Sequence, residues 1–171
     1  MNLVTVTAFE DLACGDCADY AHMLDAHLAP KFGRQVSFVQ KDFPLERHEW
    51  AYGAAVAARY LSGRSPAAAH RFRRYCMHER HRISAVSLAR HFGNFARDAG
   101  VDVPSFPEVE GDENSRAAVE QDLAEGRERG VEKTPTVFAG DAVLVELFEL
   151  EEITAAIEAA LAVADSDRIA G

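Results

Sequence analysis

Hydrophobic and polar positions change their period several times along the chain, and each change marks an element. Leu3–Phe9 is short, β-branched and apolar, as a central parallel strand covered on both faces would be. From Ala18 to Phe32 the apolar residues Tyr20, Met23, Leu24, Ala26, Leu28 and Phe32 fall at helical spacing. Pro30 is expected to stop that helix a turn early; otherwise Gly33 ends it. Gln35–Lys41 alternates and predicts a second strand, which gives a right-handed βαβ unit with a parallel pair. After Pro44 the pattern is helical for a long way. Glu46–Ser62 carries Trp50, Ala54, Ala57, Ala58 and Leu61, and Gly63 closes it. Ser65-Pro66 places an N-cap before a proline and starts a helix to about Arg82. Ser84 opens another that passes Leu88, Phe92 and Phe95 and stops at Gly100.

Val101–Pro107 holds two prolines and predicts a loop, and a further helix is expected over Ser115–Arg129. Thr136–Ala139 and Ala142–Val145 are two strands joined by Gly140-Asp141, a tight hairpin signal. Glu149–Ala164 is the closing helix, with Leu150, Ile153, Ile157 and Leu161 at helical spacing and acids in its first turn. From Asp165 a frayed tail is expected. The class is therefore α/β, with helices too numerous for a simple crossover set between the second and third strands.

Composition narrows the picture. At 171 residues and 48% hydrophobic, the chain suits one domain, 1–171, with a sizeable core. A net charge of −10 argues against nucleic acid as a partner, and no apolar run reaches the length a membrane span needs. A first strand starting at Leu3 leaves no room for a signal peptide. The expected compartment is the cytoplasm; the alternative is an exported protein whose signal is absent from this chain.

The chemistry sits between the first strand and the first helix, in Cys14-Gly15-Asp16-Cys17. Free N–H groups and the positive end of the helix dipole meet there, and both favour a thiolate. Residues three apart share a helix face, so the two sulfurs can close a disulfide with little backbone movement. Cys14 is expected to be exposed and nucleophilic, with Cys17 one turn in as the resolving thiol. A lone CxxC also fits half of a zinc site or two unrelated cysteines, but a zinc site needs two more ligands and no second CxxC exists. No metal is expected.

Three motifs in order carry a resemblance: Phe9-Glu10-Asp11-Leu12-Ala13-Cys14-Gly15-Asp16-Cys17, then Lys41-Asp42-Phe43-Pro44-Leu45, then Gly130-Val131-Glu132-Lys133-Thr134-Pro135-Thr136. Together they resemble the DsbA-type thiol–disulfide oxidoreductases of the thioredoxin superfamily. The resemblance implies a thioredoxin fold with a four-stranded mixed sheet, strand order 2-1-3-4, and a helical insertion over about 46–129. It implies that the Thr134–Pro135 bond is cis, faces the dithiol and shapes a substrate groove with Thr134. Thiol–disulfide exchange with a protein or small-thiol substrate, and a recycling redox partner, follow as expectations. No cofactor is expected, because a dithiol itself carries two electrons.

Gly15 stands where this branch often has proline, and Asp16 where strong oxidases often have histidine. A carboxylate beside the sulfur disfavours a second anion, so Asp16 is expected to raise the Cys14 pKa, and Glu10, Asp11 and Asp19 to add to that field. Gly15 and Asp16 are the positions expected to tune the couple. Cys14 would then titrate near an ordinary thiol, at about 7 to 8.5, which favours a reductase or general oxidoreductase. The other activity considered is a glutathione-linked transferase or isomerase of the same fold. The other non-enzyme reading is a dithiol that binds a metal or a partner. Cys76 is expected to be a buried structural cysteine. Nine of the eighteen Lys and Arg residues fall between Arg59 and Arg97, all arginine, and predict a solvated helical face or a cationic rim. His22, His27, His48, His70 and His91 are expected at the surface or in caps.

Overall fold

The computed structural model describes residues 4–170, with side chains over 4–166. Leu3, at the start of the first predicted strand, and Gly171 lie outside the described residues. The order is β1 (Val4–Glu10), α1 (Gly15–Met23), a π-helical turn (Leu24–Leu28), α2 (Ala29–Phe32) and β2 (Val36–Asp42). Then come α3 (Ala51–Ser62), α4 (Pro66–Glu79), α5 (Leu88–Asp98), α6 (Phe106–Glu110) and α7 (Glu113–Glu128). The chain closes with β3 (Thr136–Ala139), β4 (Ala142–Val145) and α8 (Leu150–Ala170).

The sheet is four-stranded and mixed, in the order β2-β1-β3-β4. β1 runs parallel to β2 from Val4↔Val36 to Glu10↔Asp42 and antiparallel to β3 from Val6↔Ala139 to Phe9↔Thr136. β3 and β4 form the expected hairpin, with Gly140 at φ 59 in its turn. β1 is thus central, as its apolar run predicts, and successive side chains go to opposite faces. Val6 and Ala8 pack with Ile153 and Ile157 of α8 on one face. Burial of each of the larger side chains, Val6, Ile153 and Ile157, contributes about 1.5–3 kcal/mol. Phe9 packs with Phe43, Val56, Val119 and Leu123 on the other. There α7 approaches so closely that a Cβ on Gly126 would lie 2.5 Å from the Phe43 ring.

The helical insertion lies between β2 and β3 and closes over the dithiol. Cys14 and Cys17 share one apolar cluster with Ala54, Leu61, Phe72 and Phe92 from α3, α4 and α5. The Lys41-Asp42-Phe43-Pro44-Leu45 motif fastens the insertion to the sheet. Arg73 of α4 donates to both Asp42 oxygens, at 2.5 and 2.8 Å, and Arg59 of α3 joins at 2.5 Å. Arg59 also pairs with Asp122 of α7, whose Oδ2 accepts the Asp42 N–H at 2.8 Å. Burial alone pushes the Asp42 carboxyl up, but Arg73 and Arg59 outweigh it and hold the acid below its ordinary range. Part of the arginine-rich stretch is therefore internal: Arg73 is buried, and Arg59 is tied to Asp42 and Asp122 rather than standing free on a face.

Several boundaries differ from the sequence expectation, each for a local reason. The first helix does not stop before Pro30. The Ala29 N–H reaches back five residues to Leu24 O, and the wider π turn lets the chain pass the proline without an α-type bond there. Residues 46–50 are turns rather than the start of α3. Phe106–Glu110 is a short helix inside the predicted loop region, opened by a Ser105/Glu108 capping box with its proline in the first turn, where the missing N–H does no harm. α5 begins at Leu88 after Ser87, not at Ser84. α8 continues through Asp165 to Ala170, where a frayed tail was expected.

Candidate functional site

β1 ends at Glu10 and α1 begins at Gly15, so Asp11–Cys14 is the turn that delivers the dithiol. Cys14 is the N-cap of α1, and its Sγ accepts the Cys17 N–H at 3.4 Å. That contact is the capping geometry usually supplied by a Ser or Asp oxygen, here made by sulfur. The helix therefore begins inside the motif rather than after it. All three cysteines are free thiols, and Cys14 donates to the Thr134 carbonyl at 3.3 Å. The Thr134–Pro135 bond is cis, as expected.

Cys14 is not exposed, which corrects the sequence expectation: it is 5% accessible, because Thr134 lies against it and the insertion closes beside it. Cys17 is fully buried. The two thiols differ sharply. Cys14 is lowered to about 6, first by hydrogen bonding from Cys17, against its own desolvation, with further help from the Cys17 N–H and Thr134. Cys17 is pushed well above its ordinary value by burial, by Cys14 and by the charge of Glu10. The expected value near 7 to 8.5 for Cys14 is thus not what the surroundings give. The donors around its sulfur outweigh the nearby anions. The carboxylate that acts against the Cys14 thiolate is Asp11. Asp16 is half-buried and lines a groove with Asp19, Tyr20, Met23 and Glu146. Gly15 faces the Arg80 guanidinium, whose Nε would lie 3.8 Å from a Cβ built there.

Two acids at the end of β1, Glu10 and Asp11, were expected only to add to the negative field around Cys14. Glu10 follows Val6 and Ala8 in the strand's two-residue alternation and points inward. Its Oε1 has no hydrogen-bond partner among the described residues, and burial pushes its carboxyl up to about 7. It lines a cavity of about 230 Å³ with Tyr20, Gln40, His70 and Arg74, and hydrogen bonding from Gln40 works against the burial. Asp11 is buried and heavily ligated. Its Oδ1 accepts the Ala13 N–H at 2.7 Å, and its Oδ2 accepts the Leu45 N–H at 2.8 Å and meets His48 Nδ1 at 2.7 Å. The alternation of β1 was the signal for Glu10, and the Asx turn from Asp11 to Ala13 was the signal for Asp11. Nothing local pointed to His48, which is 37 residues away in sequence.

Cys76 is buried in the same apolar cluster as the dithiol, and burial raises its thiol well above the ordinary range. Among the described residues no group of three or more His, Cys, Asp or Glu side chains is arranged to hold a metal. No described helix is long and apolar enough to cross a membrane.

A family model described as Thioredoxin matches residues 2–159. The sequence matches none of the curated proteins. Among solved structures, the chain is similar to Proteus mirabilis ScsC in a transitional conformation. The identity is 16% and the TM-score 0.77, over 93% of this chain and 68% of that one. It is similar to the thiol-disulfide exchange protein alpha-DsbA2 from Wolbachia pipientis, at 18% identity and TM-score 0.73, over 91% and 80% of the two chains. It is also similar to a periplasmic thioredoxin-like protein from Salmonella enterica serovar Typhimurium, at 21% and 0.74, over 93% and 84%. At these identities the likeness is one of fold.

Proposed function

Since the chain belongs to the thioredoxin family, we propose that it exchanges disulfides with protein or small-thiol substrates through Cys14 and Cys17. The observation that carries this reading is the split between the two thiols: Cys14 lowered to about 6, Cys17 raised beneath it. At neutral pH about nine in ten Cys14 side chains are then thiolate. The thiolate attacks one sulfur of a substrate disulfide; a Cys14–substrate bond forms and the other substrate sulfur leaves as a thiolate. Cys17 then loses its proton and attacks Cys14 Sγ. The second substrate thiolate leaves, the Cys14–Cys17 disulfide forms, and two electrons have passed to the substrate. The reverse sequence oxidises a substrate dithiol. Glu10, whose Oε1 has no hydrogen-bond partner among the described residues and whose charge is felt by Cys17, is the group we assign to take the Cys17 proton. Thr134 borders the sulfur under attack, with Pro135 next to it across the cis bond, and the buried Thr134 hydroxyl is a donor for the thiolate.

The dithiol supplies both electrons, so the reaction takes no cofactor. A recycling partner must return them or remove them. A Cys14 value of about 6 lies between the roughly 7 of thioredoxin and the roughly 3.5 of DsbA. We therefore place the couple between a reductase and a strong oxidase, with Gly15 and Asp16 at the rim. We take 1–171 as one domain, because the dithiol's own apolar cluster is built from the 46–129 insertion. Of the two compartments, export is favoured by the periplasmic protein among the solved structures.

The test is trapping. Cys17→Ser should accumulate a mixed disulfide on Cys14, and Cys14→Ser should form none. Alkylation of the reduced protein should label Cys14 first; first labelling of Cys17 or Cys76 overturns the assignment. A glutathione-linked transferase would keep turning over as Cys17→Ser. A metal-binding module would carry metal in elemental analysis.

A further inference from the structure

We propose that His48 is a positioning residue for the dithiol: by binding Asp11 it sets the redox poise of the Cys14–Cys17 couple. The inference rests on the exchange reading above and extends it to a residue outside the three motifs. Its support is geometric. Asp11 touches both cysteines through its main chain: its N–H donates to Cys17 Sγ at 3.4 Å, and its carbonyl accepts the Cys14 N–H at 3.1 Å. Its side chain is fully buried, a place where a carboxylate is costly unless well ligated. Three donors meet that need: the Ala13 and Leu45 N–H groups and His48 Nδ1. The main-chain pair are fixed by the fold. His48 is the one side chain among them, and it keeps 24% of its surface in solvent.

The turn that carries His48 has no other evident reason to hold an imidazole there. The His48 N–H goes to Leu45 O at 2.9 Å, and its carbonyl takes the Ala51 N–H at 2.9 Å, so the main chain alone forms the turn into α3. The ring is free to be chosen for Asp11. Asp11 is the carboxylate that works against the Cys14 thiolate, and Glu10, the other buried acid nearby, acts on Cys17. A donor or a cation on Asp11 Oδ2 draws charge away from that carboxylate. The anion that opposes Cys14 is thereby weakened, and the thiolate and the reduced form gain.

The test measures the equilibrium of the dithiol–disulfide couple against glutathione, and the thiolate titration of Cys14, in the full chain. His48→Ala leaves Asp11 with two donors and no ring. The Cys14 pKa should rise, and the equilibrium should move by about three- to tenfold toward the disulfide, a potential about 15–30 mV more reducing. His48→Asn sets an amide nitrogen near the place of Nδ1 and keeps the hydrogen bond without any charge; it should recover part of that shift. In an Asp11→Asn background, His48→Ala should change the equilibrium less than twofold, because the carboxylate it acts through is gone. A His48→Ala couple within twofold of the wild type overturns the proposal. So does a full-sized shift that survives in the Asp11→Asn background. If Asp11→Asn does not fold, the single substitution and its partial recovery by asparagine decide. Should the wild type show no dithiol–disulfide couple at all, the exchange reading itself falls; a measured wild-type couple that ignores His48 defeats this inference alone.

Discussion

Glu10→Gln should make the protein more stable at alkaline pH and leave it unchanged in acid. In the folded chain the Glu10 carboxyl is raised from 4.5 to about 7, because it is desolvated more than Arg74 and Arg73 can offset. A raised acid favours the fold while it is neutral. That contribution is complete below about pH 4.5 and is lost as pH climbs through about 7, where the buried group must charge. At about 1.4 kcal/mol per unit, the difference between the two values corresponds to about 3 kcal/mol at pH 8. Glutamine has the same shape, carries no charge and can face Gln40. The substitution should therefore add up to about 3 kcal/mol at pH 8, or about 6–12 °C in Tm for a chain of this size. Near pH 4 the two proteins should unfold alike. The assay is urea unfolding of the reduced proteins from pH 4 to 8.5, with circular dichroism as the readout. A stability difference that does not change with pH would refute the reasoning, since it would mean that Glu10 is not a buried acid titrating near 7. The same variant should slow resolution of the mixed disulfide, since the group assigned to the Cys17 proton has gone; a quench-flow trace of that second step is the check.

Other substitutions probe the frame around the site. Gly126→Ala would drive a methyl to 2.5 Å from Phe43 and 3.1 Å from Phe9, and should cost about 1–3 kcal/mol in urea unfolding. Arg73→Leu strips the bidentate partner from buried Asp42 and should cost about 3–5 kcal/mol at pH 7. Because Asp42 is held below its ordinary value in the fold, that cost should shrink as pH falls and the acid protonates; a cost that stays constant down to pH 3 would contradict it. Asp16→Asn should move the Cys14 titration less than Asp11→Asn does, because Asp11 is the opposing carboxylate at Cys14; thiolate absorbance against pH compares the two.

The frame was legible wherever a local signal and its tertiary use coincide. The β3–β4 hairpin has its boundaries where Gly140-Asp141 put them, and Ser65 caps α4 through its hydroxyl to the Ala68 N–H at 3.2 Å. The cis bond at Pro135 and the strand order followed from the resemblance. Local reading failed where a distant partner decides. Residues 46–50 carry a helical pattern, yet Leu45 and His48 are drawn to Asp11 and the chain turns instead. Pro107 read as a breaker, although a proline in a first turn is harmless. The charge at the dithiol was misplaced for the same reason. Asp16 is nearest in sequence and was expected to dominate, with Asp11 only adding to it; the chain instead bonds Asp11 to both cysteines and leaves Asp16 in a groove with Glu146. The arginine-rich run looked like surface, and the acids that draw Arg59 and Arg73 inward lie in β2 and α7.

The central claim is that Cys14 and Cys17 form a working two-electron couple. Its most direct test is the fraction of Cys14–Cys17 disulfide, read by mass, after the wild-type chain is equilibrated across a range of reduced and oxidised glutathione. A single two-electron transition is expected, with Cys76 left as a thiol, at a potential between about −270 mV for thioredoxin and about −120 mV for DsbA. No Cys14–Cys17 disulfide at any ratio, or a disulfide that enlists Cys76 in place of either, would contradict it.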